Sequence, residues 1–348
     1  MKIYLIIVFL IFNFFSFSQE SYHKNIWMAE YDVANDSLLK ASNHYSNAFK
    51  LMQFPFEKDL KNALIVNLQL NNWEYSNNLI IQLIKKGYSI NEIKAIPFIK
   101  KLKNNEHFKS ILNDYFKISK DVIRDSSYIS SLKNLSILDR DLTLKYRNRE
   151  NVLSCEEKLI LKNQDSLIYS EFLFLIKKNG WPTEEQIGYQ VGNQILIRNF
   201  LIHSTSYNYY DSTILYNAYF ENKIPSYILT YFEEYRLNRK SVRKHLKIND
   251  FEYDYQIPFL IHNLTTDDYE HLNPFLKCPK ILKTVEKNRI NFDLSPLNIY
   301  RELITFSKKS KIYNFYCGLY TPLSNISFES DFQKERFEVL KKKWCNED

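Results

Sequence analysis

Glycine is scarce in this chain, which has only five in 348 residues. They are Gly87, Gly180, Gly188, Gly192 and Gly318. Their spacing cannot form a GxGxxG turn or a Walker loop, so these two phosphate-binding loops are excluded. The GxSxG elbow of α/β-hydrolases and the HExxH motif of zinc proteases do not occur either. The common enzyme motifs therefore offer no starting point for function.

Cysteine is also rare, and none of the four cysteines belongs to a CxxC pair. They are Cys155, Cys278, Cys317 and Cys345. Structural zinc sites and thioredoxin-like sites need close pairs, so neither is indicated. In an oxidising compartment Cys278, Cys317 and Cys345 could form disulfides, but several connectivities fit and the sequence does not choose between them.

Long apolar runs are missing beyond the N terminus, and a membrane helix would need about 18 such residues. The chain begins Met1-Lys2, continues with a short apolar run, and has small residues at Ser16 and Ser18. This pattern predicts a signal peptide over residues 1–18, cleaved after Ser18. The alternative is an uncleaved N-terminal anchor. We expect an exported protein, periplasmic or secreted, with no transmembrane segment after cleavage.

Charge and composition narrow the class of protein further. Forty-five per cent of the residues are hydrophobic, which excludes a disordered chain. The net charge of +7 is spread along the whole length without an Arg/Lys stripe. Such a distribution is typical of a Lys-rich surface, and we expect no nucleic-acid partner.

Small and aromatic residues recur at helical spacing near the N terminus. Ala41, Tyr45 and Ala48 are spaced four and three residues apart, and Ala29 lies twelve residues before Ala41 on the preceding helix. This order resembles the packed face of a tetratricopeptide repeat, a helical hairpin with a period of about 34 residues. Close packing of two helices explains the small residues at these places.

The same pattern returns thirty-five residues later. Ser76, Ile80 and Leu83 hold the equivalent places, and Gly87 is expected to end their helix. A third unit over residues 93–119 is apolar at helical spacing but out of phase, which predicts a divergent or capping hairpin. We therefore expect tetratricopeptide-like hairpins over residues 19–128. Hairpins of another kind of α-bundle are the alternative.

The spacing of apolar residues changes near residue 130, and this new region reaches a break between two helices at residues 180–182. A long helix is expected from about Cys155 to Asn179, followed by Gly180-Trp181-Pro182, in which glycine takes a left-handed conformation and proline prevents continuation. The tryptophan of this corner is expected to be a packing anchor. Thr183 and Gln186 then form a capping box that starts the next helix. The inward residues of the long helix are predicted to be Leu167, Phe172, Leu175 and Ile176.

Landmarks in this central region resemble an uncharacterised exported bacterial domain of unknown function, which often follows tetratricopeptide-like repeats in flavobacterial-type proteins. The landmarks are Asp139-Arg140, Asp165, Gly180-Trp181-Pro182, Ile187-Gly188 and Ile202-His203. The resemblance covers about residues 132–248. The chain departs from the family pattern at Arg140, at Ile168 and at residues 244–247, which implies that any site of the family is incomplete here.

His203 is the strongest single candidate for chemistry. It lies on the same predicted helix face as Leu196 and Phe200, so it points towards the interior. A carboxylate from Asp139 or Asp165 would fix its tautomer and allow acid/base catalysis. The alternative, which the sequence alone favours, is a core histidine bonded to a backbone carbonyl.

One local group of side chains has the chemistry of metal ligands. Asp267 and His271 are four residues apart and would share a helix face, with His262 and Asp268 nearby. A surface ion pair explains the same spacing. We therefore assign no metal ligand, and no residue is predicted to bind a cofactor.

Together these patterns predict an all-α protein in four parts. They are a signal peptide (1–18), tetratricopeptide-like hairpins (19–128), a helical domain of unknown function (129–250) and a helical C-terminal extension (251–348). The expected function is an exported cell-envelope interaction or scaffold protein with a protein or peptide partner. The alternative is an envelope-polymer hydrolase that uses His203 with Asp139 or Asp165. The oligomeric state stays open.

Overall fold

The computed structural model describes residues 21–122, 124–149, 153–189, 212–226, 228–229, 279–313 and 315. Within these ranges the protein is helical and has no β-strand, which confirms the predicted all-α class. None of the described helices combines the length and the hydrophobicity that crossing a bilayer requires.

The first helices form the two hairpins and the irregular segment after them. They are α1 (Tyr22–Ala34), α2 (Leu38–Lys50), α3 (Glu57–Gln69), α4 (Trp73–Lys86), α5 (Ile90–Ala95), a 3-10 helix (Ile99–Leu102), α6 (Glu106–Asn113) and α7 (Tyr115–Lys120). The remaining described helices are α8 (Ser126–Arg149), α9 (Cys155–Asn179), α10 (Glu184–Ile187), α11 (Ser212–Phe220), α12 (Pro279–Asn291) and α13 (Leu297–Lys309). Helix α8 runs through the domain boundary drawn at residue 128.

Helices α1 to α4 form two hairpins with the same turn. Helix α1 packs on α2, α3 packs on α4, and α2 packs on α3. Asp36 and Asn71, thirty-five residues apart, both have positive φ angles of 56° and 59°. The next residue in each turn donates its N–H to a carbonyl five residues earlier, at 2.8 and 2.9 Å. The two hairpins therefore reverse direction in the same way.

The predicted packed face of these hairpins is buried. Seven positions have essentially no exposed surface, namely Ala29, Ala41, Tyr45, Ala48, Ser76, Ile80 and Leu83. Leu64 stands thirty-five residues after Ala29 and is also buried, so the small residue of the first helix is not repeated in the second hairpin. Gly87 ends α4 with a φ of 107°, as expected for a glycine that closes a helix.

The segment after the hairpins is less regular than the predicted third hairpin. It consists of short helices α5, α6 and α7 and one 3-10 turn, and α6 and α7 pack on α4. Leu102, Phe108 and Ile111 are buried, whereas Phe98 is partly exposed with a positive φ of 64°.

Helices α8 and α9 form a long hairpin in which one expectation needs correction. Helix α8 continues to Arg149. Leu167, predicted to face inward, is 70% exposed. It lies two residues from buried Asp165, which places it about 200° around the helix and therefore on the outer side.

Gly180 ends α9 differently from the prediction. Its φ is 81° but its ψ is −179°, an extended conformation that only glycine adopts readily, rather than the left-handed helical one. The capping box is confirmed, since Thr183 Oγ1 accepts from the N–H of Gln186 and the Gln186 side chain accepts from the N–H of Thr183.

The C-terminal segment packs against the first helices of both hairpins. Helix α13 contacts α1, and the side chain of Gln69 at the end of α3 donates to the hydroxyl of Tyr313. Leu303, Tyr313 and Phe315 belong to the same apolar core as the hairpins. Consequently neither α1 nor α3 has an exposed residue. The described part of the C-terminal extension thus covers the hairpins.

Candidate functional site

Asp139 and Asp165 lie on the packed face of the α8/α9 hairpin. They are 3% and 7% exposed, and they lie at equal sequence separation from the middle of the connection between Arg149 and Cys155. In an antiparallel hairpin, residues equally distant from the turn lie opposite each other. Equal separation from the connection predicts that the two candidate carboxylates lie at a similar level of the hairpin.

The rest of this face is apolar. The buried residues are Tyr128, Leu132 and Leu135 of α8 and Tyr169, Phe172 and Ile176 of α9, and all six belong to one apolar cluster. The two aspartates lie closer to the connection than these six residues. Each carboxylate has a further interaction in the folded protein, so neither is isolated.

His203 lies outside the described residues, so its place relative to the two aspartates stays a prediction. The Gly180-Trp181-Pro182 corner lies within the described residues. Trp181 is 5% exposed and packs in the apolar core of the α8/α9 hairpin, which confirms its predicted role as a packing anchor. The hydroxyl of Tyr128 donates to the carbonyl oxygen of Gly180 at 2.8 Å and fastens the corner to α8.

The possible metal ligands and most of the cysteines lie outside the described residues. The group His262, Asp267, Asp268 and His271 lies outside the described residues. Among the described residues no three His, Cys, Asp or Glu side chains come together as metal ligands. Cys155 is an exposed free thiol at the start of α9, and the other three cysteines also lie outside the described part of the chain.

A second polar site, which the sequence did not indicate, lies between the hairpins and the C-terminal helices. It is a partly open cavity of about 60 Å³. Its polar lining comes from α1, α3 and the α12–α13 region, and includes His23, Trp27, Glu30, Asp59 and Arg289. Its apolar lining includes Ile26, Phe56, Leu294, Tyr300 and Leu303.

Three polar atoms at this cavity are buried without a hydrogen-bond partner among the described residues. They are Nε2 of His23, Nε1 of Trp27 and Oδ1 of Asp59. His23 is 8% exposed and Asp59 is 2% exposed. Buried polar atoms normally have a partner, because leaving one unsatisfied costs about 1–3 kcal/mol. This cavity is therefore unusual, because three of its lining residues each have one buried polar atom without a partner among the described residues.

Several charged groups beside the cavity already have partners. Nζ of Lys58 lies 3.5 Å from Oε1 of Glu30. Arg289 donates from Nε to the carbonyl of Ser295 at 2.6 Å and stacks over the ring of Tyr300 at 4.5 Å. The cavity lining includes three acidic side chains, Glu30, Asp59 and Asp293, and one basic side chain, Arg289.

Burial sets the protonation of the two titratable groups that line the cavity. Loss of solvent raises the pKa of Asp59 to about 7, an effect that the nearby Lys58 ammonium partly offsets. Loss of solvent also lowers the pKa of His23 to about 3, which a hydrogen bond to the Tyr219 backbone partly offsets. His23 is therefore neutral at physiological pH, whereas Asp59 is divided between its two forms.

The tautomer of His23 follows from its partners. Because Nε2 has no partner among the described residues, the bond to the Tyr219 backbone must use Nδ1. If Nδ1 carries the proton and donates to a carbonyl, Nε2 is left as a buried acceptor. The ring also stacks on that of Tyr219, with centroids 4.4 Å apart, which fixes its orientation.

Comparisons with known proteins leave both sites without a precedent. No family model matches the chain, no curated protein is significantly similar to it, and no solved structure resembles it significantly.

Proposed function

We propose that this protein is an exported interaction or scaffold protein of the cell envelope, with tetratricopeptide-like hairpins as its binding element. The observation that carries the proposal is the pair of packed hairpins α1/α2 and α3/α4 with the same turn and buried small residues at Ala29 and Ala41. Hairpins of this kind typically bind a helix or a peptide along their side. Export rests on the N-terminal sequence pattern, which lies outside the described residues.

The packing of α13 adds support and narrows the binding surface. Helix α13 lies on α1, so the hairpins already bind one helix of their own chain. Since α1 and α3 have no exposed residue, a partner would bind the outer helices α2 and α4, or would displace α13. The exposed Leu39 on α2 marks the outer surface that we favour.

Site-specific photo-crosslinking tests this assignment without disturbing the core. A photoreactive residue would replace exposed Leu39 on α2, and a matched control would replace exposed Leu167 on α9. The mature protein would then be incubated with periplasmic and outer-membrane extracts. We expect a discrete crosslinked partner from position 39 and none from position 167. Crosslinks from position 167 alone would move the binding surface to the α8/α9 hairpin.

The alternative function, hydrolysis of an envelope polymer, is favoured by one observation, the burial of both Asp139 and Asp165 in the α8/α9 hairpin. In this proposal His203 and one aspartate act as acid and base. Release of fragments from isolated envelope polymer would be measured for the wild type and for Asp139→Asn, Asp165→Asn and His203→Gln. Catalysis requires that activity disappears while the melting temperature stays near wild type. Loss of stability without any wild-type activity would assign the aspartates to packing.

A further inference from the structure

An apolar stripe follows the outer side of helix α9. It consists of Ile160, Leu167 and Phe174, which are spaced seven residues apart and are 50%, 70% and 56% exposed. Because seven residues make almost two whole turns of an α-helix, these side chains lie on one line, about 21 Å long. Single exposed apolar residues are common on protein surfaces, but a line of three large ones indicates a surface that another molecule covers.

The two ends of this outer stripe carry opposite charges. Glu156 lies four residues before Ile160, and Lys178 lies four residues after Phe174. Both are exposed, and at about 100° per residue both fall within about 20° of the line through Leu167. Along this line the order is acidic, three apolar residues, basic. The spacing is the same in both directions from Leu167.

The end charges alone would not indicate a binding surface. Acidic residues near the start of a helix and basic residues near its end stabilise the helix itself through its dipole. That effect does not require the charges to continue the line of the apolar side chains, and it does not require those side chains to be exposed. Glu156 and Lys178 do continue the line, and Leu167 at its centre is exposed. This combination favours a partner whose charges run in the opposite order.

We propose that the outer stripe of α9 binds the same stripe of a second copy of this chain, antiparallel and about a two-fold axis at Leu167. Such a pair is self-complementary, because Glu156 of one copy faces Lys178 of the other and Ile160 faces Phe174. The two Leu167 side chains meet at the axis. The proposal stands on α9 alone and does not depend on the proposed envelope partner. In the crosslinking experiment, position 167 would then join two copies of this chain and no protein of the extracts.

Charge decides the direction of the pair. In a parallel pair each end would face its own copy, Glu156 beside Glu156 and Lys178 beside Lys178, and both contacts would be repulsive. The antiparallel pair replaces both repulsions with attractions. Neutral Asn163 and Ser170 lie beside the apolar line and oppose neither arrangement. One pair of helices makes a small interface, so we expect a dissociation constant above about 1 µM.

Sedimentation equilibrium of the mature chain measures the pairing. From about 10 to 500 µM, the range suited to such a small interface, we expect the wild type to shift from monomer to dimer. Leu167→Lys places two ammonium groups at the axis and should raise the dissociation constant about tenfold or more. Leu39→Lys is the matched control, because Leu39 is 68% exposed on α2, and it should pair like wild type.

Three results would overturn the proposal. They are a wild type that stays monomeric, equal pairing of Leu167→Lys and wild type, and the same loss of pairing in Leu39→Lys. The melting temperature of the dilute monomer should stay near wild type in both variants, since both side chains are exposed.

The antiparallel direction is tested by reversing the end charges. Glu156→Lys and Lys178→Glu each bring like charges together in the antiparallel pair, and each should raise the dissociation constant about threefold or more at low salt. The double variant Glu156→Lys/Lys178→Glu restores the attractions and should pair like wild type. This rescue cannot come from helix stability, because both changes oppose the helix dipole. Unchanged pairing in both single variants, or no rescue in the double variant, would overturn the antiparallel pair.

Discussion

The hydroxyl of Tyr22 donates a 2.6 Å hydrogen bond to Oδ2 of Asp59 and joins the first helices of the two hairpins. The backbone N–H of Phe56 donates to the same hydroxyl oxygen at 3.2 Å. Both side chains are buried, and the carboxyl of Asp59 is also near Lys58, Glu30 and Glu184. The contact between the two hairpins therefore depends on one buried carboxyl group.

Asp59→Asn should make the protein more stable at alkaline pH. Burial raises the pKa of Asp59 to about 7 in the folded state, against about 3.9 when unfolded. The folded state thus holds the proton more tightly, and this contribution is complete below about pH 4 and is lost as pH rises through about 7. Asn mimics the neutral acid and avoids this loss. From about pH 5 to 8 the free energy of unfolding of the variant should gain about 2–3 kcal/mol on wild type.

Urea unfolding of both proteins across this pH range would measure the difference. A control, Asp114→Asn, removes a carboxyl from the exposed end of α6, and should follow wild type throughout. A constant difference between Asp59→Asn and wild type would show that Asp59 is ionised in the folded protein across the whole range.

His23→Phe should have the opposite pH dependence. Burial lowers the pKa of His23 to about 3 in the folded state, against about 6.5 when unfolded. The unfolded state binds the proton more tightly, so stability is present above about pH 6.5 and is lost as pH falls towards 3. Wild type should therefore lose about 3 kcal/mol relative to the variant between about pH 7 and 4. Denaturant unfolding measures this, with exposed His107→Phe as the control.

Ala41→Leu should overpack the crossing of α1 and α2. Ala41 and Ala29 have no exposed surface, so there is no room for a larger side chain without a backbone shift. The expected cost is about 1–3 kcal/mol in the free energy of unfolding. Asn43→Leu, on the exposed face of the same helix, should cost almost nothing. If both variants melt at the wild-type temperature, the helix crossing inferred from the repeat pattern is wrong.

Gly188→Ala should cost more than Gly180→Ala. The two glycines have nearly equal φ angles of 79° and 81°, so the backbone strain of an alanine is similar, about 1–3 kcal/mol. A Cβ at Gly188 would lie 3.0 Å from the guanidinium carbon of Arg124, whereas a Cβ at Gly180 would meet no atom within 4 Å. Thermal melts would measure the difference. It should vanish in an Arg124→Ala background, and its persistence there would exclude the contact as its cause.

The exported protein should begin at Gln19. Ser16 and Ser18 precede the predicted cleavage position and follow a short apolar run. N-terminal sequencing of protein recovered from the periplasm or the medium would identify the first residue. Recovery of exported protein that still carries Met1 would contradict cleavage and would indicate an uncleaved N-terminal anchor.

Local sequence patterns were sufficient to predict the buried face of the first hairpins and the helix ends at Gly87, Asn179 and Thr183. The burial of Ala41, Tyr45 and Ala48, the glycine end of α4 and the capping box at Thr183 all depend on residues within about one or two turns, so the spacing predicts them. The prediction failed at Leu167 because it was based on the hydrophobicity of the residue and not on its position on the outer face of the helix. The packed face of α9 includes a polar residue, Asp165, and excludes the more hydrophobic Leu167.

The sequence by itself determined that the protein is helical and which small and aromatic residues of its first hairpins are buried, because these depend on neighbours along the chain. Asp139 and Asp165 became candidates only through the resemblance to an uncharacterised domain. Only the tertiary structure decided that His23, Asp59 and Arg289 line one cavity. These residues come from helices far apart in the sequence, and no periodicity records which distant helix will cover another. Nor does the sequence show that a buried carboxyl will titrate near neutral pH, since that shift arises from loss of solvent once α1, α3 and α13 have packed together.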